Sequence, residues 1–412
     1  MVSIKIPLDT AFLCHFEARK RRGTPRLRSG RQKRGARGDK KGSGRHPNLS
    51  CRAIARDPPR FKQVVNLFPI IYNKCMPFLA FDCEGPITLN DNAFEFASAI
   101  IPQGGRFFKQ VSRFDDYLAD IKKRENYKAG DTLKLILPFL KLFGATNKAL
   151  EEFSERTLIL LPKMDEILRS LLKIAPVYII STSYRPYLVA LCKRIGFPME
   201  NVFCTEVDLD RVKISQAEAK ILTEIYERIL SFPDIELPPS AKAPQDLPKS
   251  LRDILDEMEY LFFEKVWNLD PGVFLREVNP IGGREKAKAC EEISKGLSIP
   301  LSEGFYCGDS ITDTEALSLL RKAKGVSLSF NGNRYALRSA EFYALGYDGE
   351  VVGEVALSFL NEEKDALYKL RIKEDKKEFG LIPREEKPLS DLISRSEETR
   401  KRVRGILIGE LG

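Results

Sequence analysis

The chain has 412 residues, enough for a large hydrophobic core and a second module, and its 43% apolar and 30% charged residues are ordinary for a soluble globular protein. Both histidines, His15 and His46, lie near the N-terminus, which excludes a Ser-His-Asp or Cys-His catalytic group from the rest of the chain. The longest apolar clusters, 64–72 and 133–143, are too short to span a membrane. We therefore expect a cytoplasmic protein with reduced cysteines. The eight cysteines form no Cys-x-x-Cys pair, which disfavours a zinc or iron–sulfur site.

The net charge of +9 comes from the N-terminal region alone. Residues 1–75 contain 19 lysines and arginines against 4 acidic residues, whereas residues 76–412 contain 48 against 54. The segment 19–45 is rich in glycine and arginine and is predicted to be disordered. Three interpretations of this basic tail stay open: an arm that contacts nucleic acid through phosphates, a targeting segment, or an over-extended gene start with Met76 as the true initiator. Nucleic-acid binding is not expected outside the tail.

The first predicted core strand delivers two acids into a turn. Phe78 to Phe81 form an apolar run without alternation, which is typical of a strand covered on both faces in a parallel sheet. Asp82 and Glu84 follow at once, and Gly85 together with the next residue, a proline, breaks the extended chain. Ligands of open α/β sheets bind at the carboxyl ends of the strands. The pattern indicates a site, although a polar turn after a core strand has the same local sequence.

Residues 90–160 are predicted to form a helical insert. Helix-like patterns at 94–100, 107–122, 133–143 and 150–155 are separated by glycines. About a dozen residues suffice to join two parallel strands, so this stretch is long enough for an additional module. Its aromatic side chains are expected to form the core of the insert itself.

A second apolar strand, 177–180, ends in hydroxyl side chains at Ser181, Thr182 and Ser183. A helix is predicted directly after it, because the apolar residues recur with helical spacing. The chain then enters a second insertion, 205–280, in which we expect two helices joined by a proline-rich loop. The sequence assigns no role to this second insertion.

Two further patterns place charged residues at the ends of elements. Lys286 lies in the first turn of a predicted helix, where a cation opposes the helix macrodipole, so we expect a specific reason for its position. A strand then runs into Asp309, and Asp313 precedes a helix with a capping-box pattern. The charge-rich remainder, 361–412, is predicted to be a helical extension with solvated faces.

These stretches together resemble the motifs of the haloacid dehalogenase (HAD) superfamily, and its phosphoserine-phosphatase-like branch more than others. The resemblance covers about 76–360, with the motifs in the right order. It rests on Asp82-Cys-Glu-Gly-Pro86, Ile179-Ile-Ser181, Lys286 and Gly308-Asp-Ser-Ile-Thr-Asp313. It implies an α/β fold, namely a Rossmannoid parallel sheet flanked by helices, in which the insert 90–160 is a cap that closes over the site.

The same resemblance implies a magnesium-dependent phosphohydrolase that acts on a small phosphorylated metabolite. Asp82 would be the nucleophile that forms an aspartyl-phosphate, and Glu84 would protonate the leaving alcohol and then activate water. Ser181 and Lys286 would hold the transferring phosphoryl oxygens. The implied Mg²⁺ ligands are Asp82, Asp309, Asp313 and the backbone carbonyl of Glu84.

Glu84 departs from the family pattern, which has aspartate two residues after the nucleophile. Glutamate can perform the same proton transfers, but its side chain is one methylene longer. An alternative hypothesis is therefore a non-catalytic HAD-like subunit or phospho-ligand-binding protein of an archaeal complex. The run 82–95 more loosely resembles an archaeal HAD-like group named energy-converting hydrogenase subunit R. The substrate and the oligomeric state stay open.

Overall fold

The computed structural model describes residues 76–238 and 240–409, so the predictions for the basic tail 1–75, including nucleic-acid contact, lie outside the described residues. One mixed sheet organises this region, and its strands lie side by side in the order β3-β2-β1-β4-β5-β6-β8-β7. The strands are β1 (Phe78–Phe81), β2 (Val177–Tyr184), β3 (Val202–Thr205), β4 (Gly304–Gly308), β5 (Val326–Phe330), β6 (Phe342–Gly346), β7 (Ile372–Glu374) and β8 (Lys377–Leu381).

The predicted α/β fold with a largely parallel sheet is confirmed. Strand β1 is central and pairs in parallel with β2 on one side and with β4 on the other. Strands β3, β5 and β6 continue the parallel sheet outward. Parallel pairing brings the carboxyl ends of β1, β2 and β4 to one edge, and this edge is where the predicted site residues are concentrated.

Helices cover both faces of the sheet, and the alternation of side chains along β1 shows how. Leu79 and Phe81 pack into one hydrophobic cluster, whereas Phe78 and Ala80 pack into another on the opposite face. The α-helices are α1 (Asn92–Ile100), α2 (Gly104–Asp116), α3 (Thr132–Leu142), α4 (Asn147–Thr157), α5 (Met164–Leu171), α6 (Arg185–Ile195), α7 (Gln216–Ser231), α8 (Lys249–Tyr260), α9 (Val273–Glu277), α10 (Arg284–Leu297), α11 (Thr314–Lys322), α12 (Arg334–Ser339), α13 (Glu350–Leu367), α14 (Glu386–Arg404) and α15 (Ile406–Gly409).

The two insertions predicted from sequence share a single hydrophobic core. Buried residues between Ala93 and Phe153 pack in one cluster with residues between Leu209 and Leu275. Two π-helical turns, Tyr117–Ile121 and Leu261–Lys265, extend α2 and α8 within this region. We call residues 92–157 and 207–278 together the helical module. Its aromatic side chains pack on one another, as Phe114 does on Phe262, in agreement with the expected internal core.

The C-terminal segment differs from its prediction in two respects. It is not entirely helical, because β7 and β8 form an antiparallel hairpin that extends the sheet beyond β6. Nor is α14 a solvated charged helix along its whole surface. Leu392, Ser396 and Arg400 follow one another at helical spacing and are all buried, and the Ser396 hydroxyl donates to the carbonyl of Gly332 at 2.6 Å. One face of α14 is therefore docked on the sheet.

Within residues 76–238 and 240–409, no helix is both long enough and apolar enough to cross a bilayer. The cysteines of this region are buried free thiols at positions 83, 192, 204, 290 and 307. Burial raises the pKa of the Cys83 thiol well above its ordinary value. Cys83 therefore packs as a neutral apolar side chain between the two motif acids.

Candidate active site

The central residues of the site lie at or near the carboxyl ends of three strands. Asp82 follows β1, Ser181 lies in the last half of β2, and Asp309 follows β4. All three are almost completely buried, with exposed fractions of 5%, 1% and 1%. They line a cavity of about 100 Å³ that also receives residues of the helical module, among them Phe108 and Asp115.

The turn after β1 approaches Asp309 so closely that only glycine fits. Gly85 has φ +119, a conformation that favours glycine, and a Cβ atom built there would lie 2.0 Å from Asp309 Oδ2. The turn is closed by a hydrogen bond from the Gly85 N–H to the carbonyl of Thr88 at 2.8 Å. The glycine of the first motif therefore allows the backbone after Asp82 to lie against the carboxylate at the end of β4.

Lys286 joins two motif carboxylates in what we call the lysine cluster, formed by Asp82, Lys286 and Asp313. The Lys286 Nζ atom lies 2.8 Å from Asp82 Oδ1 and 2.7 Å from Asp313 Oδ1, and its side chain is 0% exposed. This explains a lysine in the first turn of α10, since two carboxylates more than offset the unfavourable macrodipole. Lys286 itself does not line the cavity.

Asp313 is fully occupied by protein donors. Its Oδ1 accepts from Lys286 and from the Tyr306 hydroxyl at 2.6 Å. Its Oδ2 accepts from the backbone N–H groups of Asp309 and Ser310 at 3.0 and 2.9 Å, and from the Ser310 hydroxyl at 3.2 Å. A carboxylate has about four lone-pair sites, so these donors leave Asp313 little capacity to bind a further cation.

Burial and charge shift the pKa values of the lysine cluster in different directions. Burial, followed by repulsion from Asp313, raises the pKa of Asp82 to about 7. Burial by itself lowers the pKa of Lys286, but Asp313 and Asp82 raise it above its ordinary value. Burial opposes ionisation of Asp313, yet Lys286 holds the pKa of that carboxyl below its ordinary value. The cluster is therefore a charged lysine held by an ionised Asp313 and by the less acidic Asp82.

Asp82 keeps one oxygen for the cavity. The contacts from Lys286 and from the Cys83 N–H, the latter at 2.7 Å, both use Oδ1. No donor in residues 76–238 or 240–409 contacts Oδ2 of this side chain. An oxygen held at a cavity wall without a donor is suited to act as a nucleophile or as a metal ligand.

A second group of charges, here called the arginine cluster, consists of Asp309, Arg400 and Arg404. Both arginines donate to Asp309 Oδ2, Arg404 at 3.2 Å. Arg400 also donates to the backbone carbonyl of Asp309 at 3.2 Å. The other oxygen, Asp309 Oδ1, is buried and accepts no hydrogen bond. Burial raises the pKa of Asp309, although the two arginines oppose this shift.

The orphaned Oδ1 of Asp309 fits a hard cation. A buried carboxylate oxygen without a donor costs free energy unless a ligand satisfies it. One oxygen from each of Asp82, Asp309 and Asp313 lies within 4.8 Å of the others, and carboxylate oxygens are the ligands that Mg²⁺ prefers. Because Asp313 is already saturated, the available oxygens are those of Asp82 and Asp309.

Glu84 lines the same cavity and is held by the start of α1. The Asn92 N–H donates to Glu84 Oε1 at 2.6 Å, and Asp91 caps the helix by accepting from the Phe94 N–H at 3.0 Å. Burial, followed by the nearby Asp91, raises the pKa of Glu84 well above its ordinary value. A raised pKa favours the protonated carboxyl, which is the form that a general acid needs. The structure describes no contact that tests its backbone carbonyl as a metal ligand.

All six residues selected from sequence lie around this edge of the sheet: Asp82, Glu84, Ser181, Lys286, Asp309 and Asp313. The Ser181 hydroxyl accepts from the Ser183 N–H at 3.1 Å. Sequence analysis missed Arg400 and Arg404. The signal that could have revealed them is the helical spacing of Leu392, Ser396 and Arg400, a narrow stripe of buried positions within a charged helix.

Comparisons with known proteins support the fold. A solved structure of a gene product from Archaeoglobus fulgidus is similar, with a TM-score of 0.70 and 28% sequence identity, over 82% of this chain and 99% of that chain. No known family profile matches the chain, and no curated protein matches it. The archaeal structure therefore shares the architecture, but its description names no activity.

Phosphoserine phosphatases are more distant. A probable phosphoserine phosphatase from Vibrio cholerae has a TM-score of 0.39 and 12% identity, over 70% of this chain and 66% of that chain. A phosphoserine phosphatase with a phospho-aspartyl intermediate analogue has a TM-score of 0.38 and 12% identity, over 65% and 92%. Similarity at this level carries no conclusion about activity. None of these three structures is described as a hydrogenase component, so the hydrogenase resemblance has no support.

Proposed function

We propose that this protein is a HAD-type, magnesium-dependent phosphohydrolase that cleaves a small phosphate monoester through an aspartyl-phosphate. The observation that carries the proposal is the pair of carboxylates at the ends of neighbouring parallel strands. Asp82 has an oxygen without a donor at the cavity, and Asp309 has a buried oxygen without a donor. A site for binding alone needs neither a nucleophile nor a nearby carboxyl group with a raised pKa such as Glu84.

In the first half-reaction an Asp82 oxygen attacks phosphorus and the bond from phosphorus to the leaving oxygen breaks. Glu84 gives its proton to that leaving oxygen, so an alcohol departs. In the second half-reaction Glu84 takes a proton from a water that attacks phosphorus. The bond between phosphorus and Asp82 breaks, and inorganic phosphate leaves with both carboxyl groups restored.

Asp82 and Asp309 would hold the Mg²⁺ ion, with Asp313 fixing Lys286 rather than binding metal. When bound, the cation would neutralise negative charge on the phosphoryl group and the attacking carboxylate. Ser181 lines the cavity and is suited to donate its hydroxyl proton to a phosphoryl oxygen. The helical module supplies further lining residues, including Phe108, Ser112 and Thr132, and we propose that it is the cap that selects the leaving group.

A screen of phosphorylated metabolites against the purified protein tests this function, with Mg²⁺ and with a chelator as the control. We expect release of phosphate from at least one monoester that depends on Mg²⁺. Asp82→Asn should abolish turnover because an amide is a poor nucleophile. A screen without any hydrolysis, or an Asp82→Asn variant as active as the parent, would contradict the proposal.

Glu84→Gln tests the acid–base role separately. The glutamine keeps the hydrogen bond from the Asn92 N–H but cannot transfer a proton, so hydrolysis of an alkyl phosphate should slow by about 10²- to 10⁴-fold. An aryl phosphate should lose less in the first step, and label should accumulate on Asp82. Glu95→Gln is the matched control, since Glu95 bonds to Asn90 and does not line the cavity. Equal rates for Glu84→Gln and the parent would exclude Glu84 as the acid and base.

A further inference from the structure

Acidic side chains outnumber basic ones in the lining of the cavity, and they would repel the negative charges of a phosphate monoester. The cations among its described lining residues are Arg400 and Arg404. A phosphoryl group with two negative charges must therefore meet compensating charge from these two side chains or from the metal. The acidic lining residues are Asp82, Glu84, Asp91, Asp115, Asp116 and Asp309.

Lys286 is poorly placed to supply that charge. Its Nζ atom is committed to Asp82 and Asp313, its side chain is 0% exposed, and it does not line the cavity. To reach a phosphoryl oxygen it would have to leave one of two buried carboxylates without its counter-charge, which is strongly unfavourable. Another side chain must therefore supply the cation that binds the phosphoryl group.

Arg404 is anchored so that its guanidinium faces the cavity. Its Nε donates to the carbonyl of Leu89 at 3.2 Å, and its Nη2 donates to the carbonyl of Asn90. Its Nη1 donates to Asp309 Oδ2 at 3.2 Å. These contacts use three of its five N–H protons within the described part of the chain. Two protons remain on a side chain that is only 5% exposed and that lines the cavity.

Arg400 lies one helical turn earlier on α14 and meets the same carboxylate oxygen. The two guanidinium groups therefore converge beside Asp309 Oδ2, while Oδ1 stays open for a cation. The planar donor fork of arginine matches the tetrahedral face of a phosphate better than a lysine ammonium does. Cations and anionic ligands would then occupy different sides of one carboxylate.

We propose that Arg400 and Arg404, both on the C-terminal helix α14, are the cationic ligands of the phosphoryl group. This inference rests on the proposed function, because it concerns the group that the phosphohydrolase transfers. It assigns a role to α14, residues 386–404, which lies outside the motifs of the region 76–360. Asp309 would hold both guanidinium groups in position for that ligand.

Inorganic phosphate, titrated calorimetrically into the full-length protein with saturating Mg²⁺, is the direct probe. Arg400→Gln and Arg404→Gln should each weaken phosphate binding by about tenfold or more, because each removes a charge-assisted donor pair. Arg400→Lys keeps the charge but loses the fork, so it should bind phosphate with intermediate affinity. Arg402→Gln is the control on the same helix, where the arginine is exposed and pairs with Glu398, and its phosphate affinity should match the parent.

A magnesium titration without phosphate separates this role from a purely structural one. Arg400 and Arg404 oppose a cation at Asp309, so their removal should leave Mg²⁺ affinity unchanged or increased. If the arginines only hold Asp309 in place, both variants should instead bind Mg²⁺ more weakly and phosphate as the parent does. Melting curves identify a variant that fails to fold, and Arg400→Lys then replaces Arg400→Gln.

Phosphate affinities within about twofold of the parent in Arg404→Gln and in the folded Arg400 variant would overturn the inference, since a lost ionic hydrogen bond costs more than that. Absence of phosphate binding by the parent would overturn it as well. Failure of the proposed function has a different signature, namely a parent that binds phosphate through these arginines but hydrolyses no monoester.

Discussion

The lysine cluster and the arginine cluster occupy the same edge of the sheet, and each combines buried aspartate with buried cations. They differ in how completely their oxygens are satisfied. Both oxygens of Asp313 accept hydrogen bonds from the protein, whereas Asp309 Oδ1 accepts none. Lys286 is fully enclosed, whereas Arg400 and Arg404 reach the cavity.

This difference distinguishes charged groups that stabilise the fold from charged groups that can bind a ligand. A buried ion pair with every lone pair satisfied has nothing to offer a ligand, and removal of one partner leaves a costly uncompensated charge. Asp309 differs, because one of its carboxylate oxygens contacts two arginines and the other is buried without a hydrogen bond. A ligand is needed to satisfy that second oxygen. We therefore expect substitutions of Lys286 and Asp313 to act mainly on folding, and those in the arginine cluster mainly on ligand binding.

Lys286→Met should have the largest effect on stability. It leaves Asp82 and Asp313 buried without a counter-charge, so the free energy of unfolding should fall by about 3–5 kcal/mol. Denaturant melts of the parent and the variant measure the loss. Lys288→Met is the control, because Lys288 is exposed and pairs with the carboxylate of Glu285 on the same helix, and it should change stability by less than about 1 kcal/mol. A similarly small loss for Lys286→Met would mean that the lysine cluster is not structural.

Gly85→Ala should cause the next largest loss of stability, because the backbone at Gly85 lies against the carboxylate of Asp309. The added Cβ meets Asp309 Oδ2 in a backbone conformation that disfavours alanine, and overpacking with strain should cost about 3 kcal/mol. Gly144→Ala is the matched control, since Gly144 also has positive φ but no atom within 4 Å. It should lose about 1 kcal/mol. Equal losses in denaturant melts would show that Asp309 moves aside freely.

Magnesium should stabilise the parent by a somewhat smaller amount, about 2.7 kcal/mol at one hundred times its dissociation constant. Asp309→Asn should lose this gain, because the amide replaces the open carboxylate oxygen. Asp313→Asn should keep most of it if Asp313 serves only to hold Lys286. Melting each variant with Mg²⁺ and with a chelator gives the difference, so that changes in intrinsic stability cancel. An undiminished gain in Asp309→Asn would exclude Asp309 as a ligand.

Local sequence was sufficient to predict the central strands and the acids at their ends. The unbroken apolar run before Asp82 marks a strand covered on both faces, and Gly85 marks the turn after it. The position of Lys286 in the first turn of a helix correctly indicated that a specific interaction holds this lysine there. Its carboxylate partners, Asp82 and Asp313, were not predicted, because they meet Lys286 only in the assembled sheet and helices.

Contacts between distant segments could not be predicted in the same way. The two insertions each show helical periodicity, which predicts helices but not that they pack into one core. Strands β7 and β8 are short and charged, and their place in the sheet depends on the free edge of β6. Their local pattern resembles that of a solvated charged segment, which is why a helical extension was predicted there.

By itself, the sequence determined the order of the strands along the chain, the acids that end them and the motif glycine, because these depend on neighbouring residues. Only the tertiary structure decided that Arg400, 91 residues beyond Asp309, contacts it. That contact depends on how α14 docks through Leu392 and Ser396. A charged helix has the same local pattern whether its arginines face water or a buried carboxylate, and the difference is made by the surface that covers it.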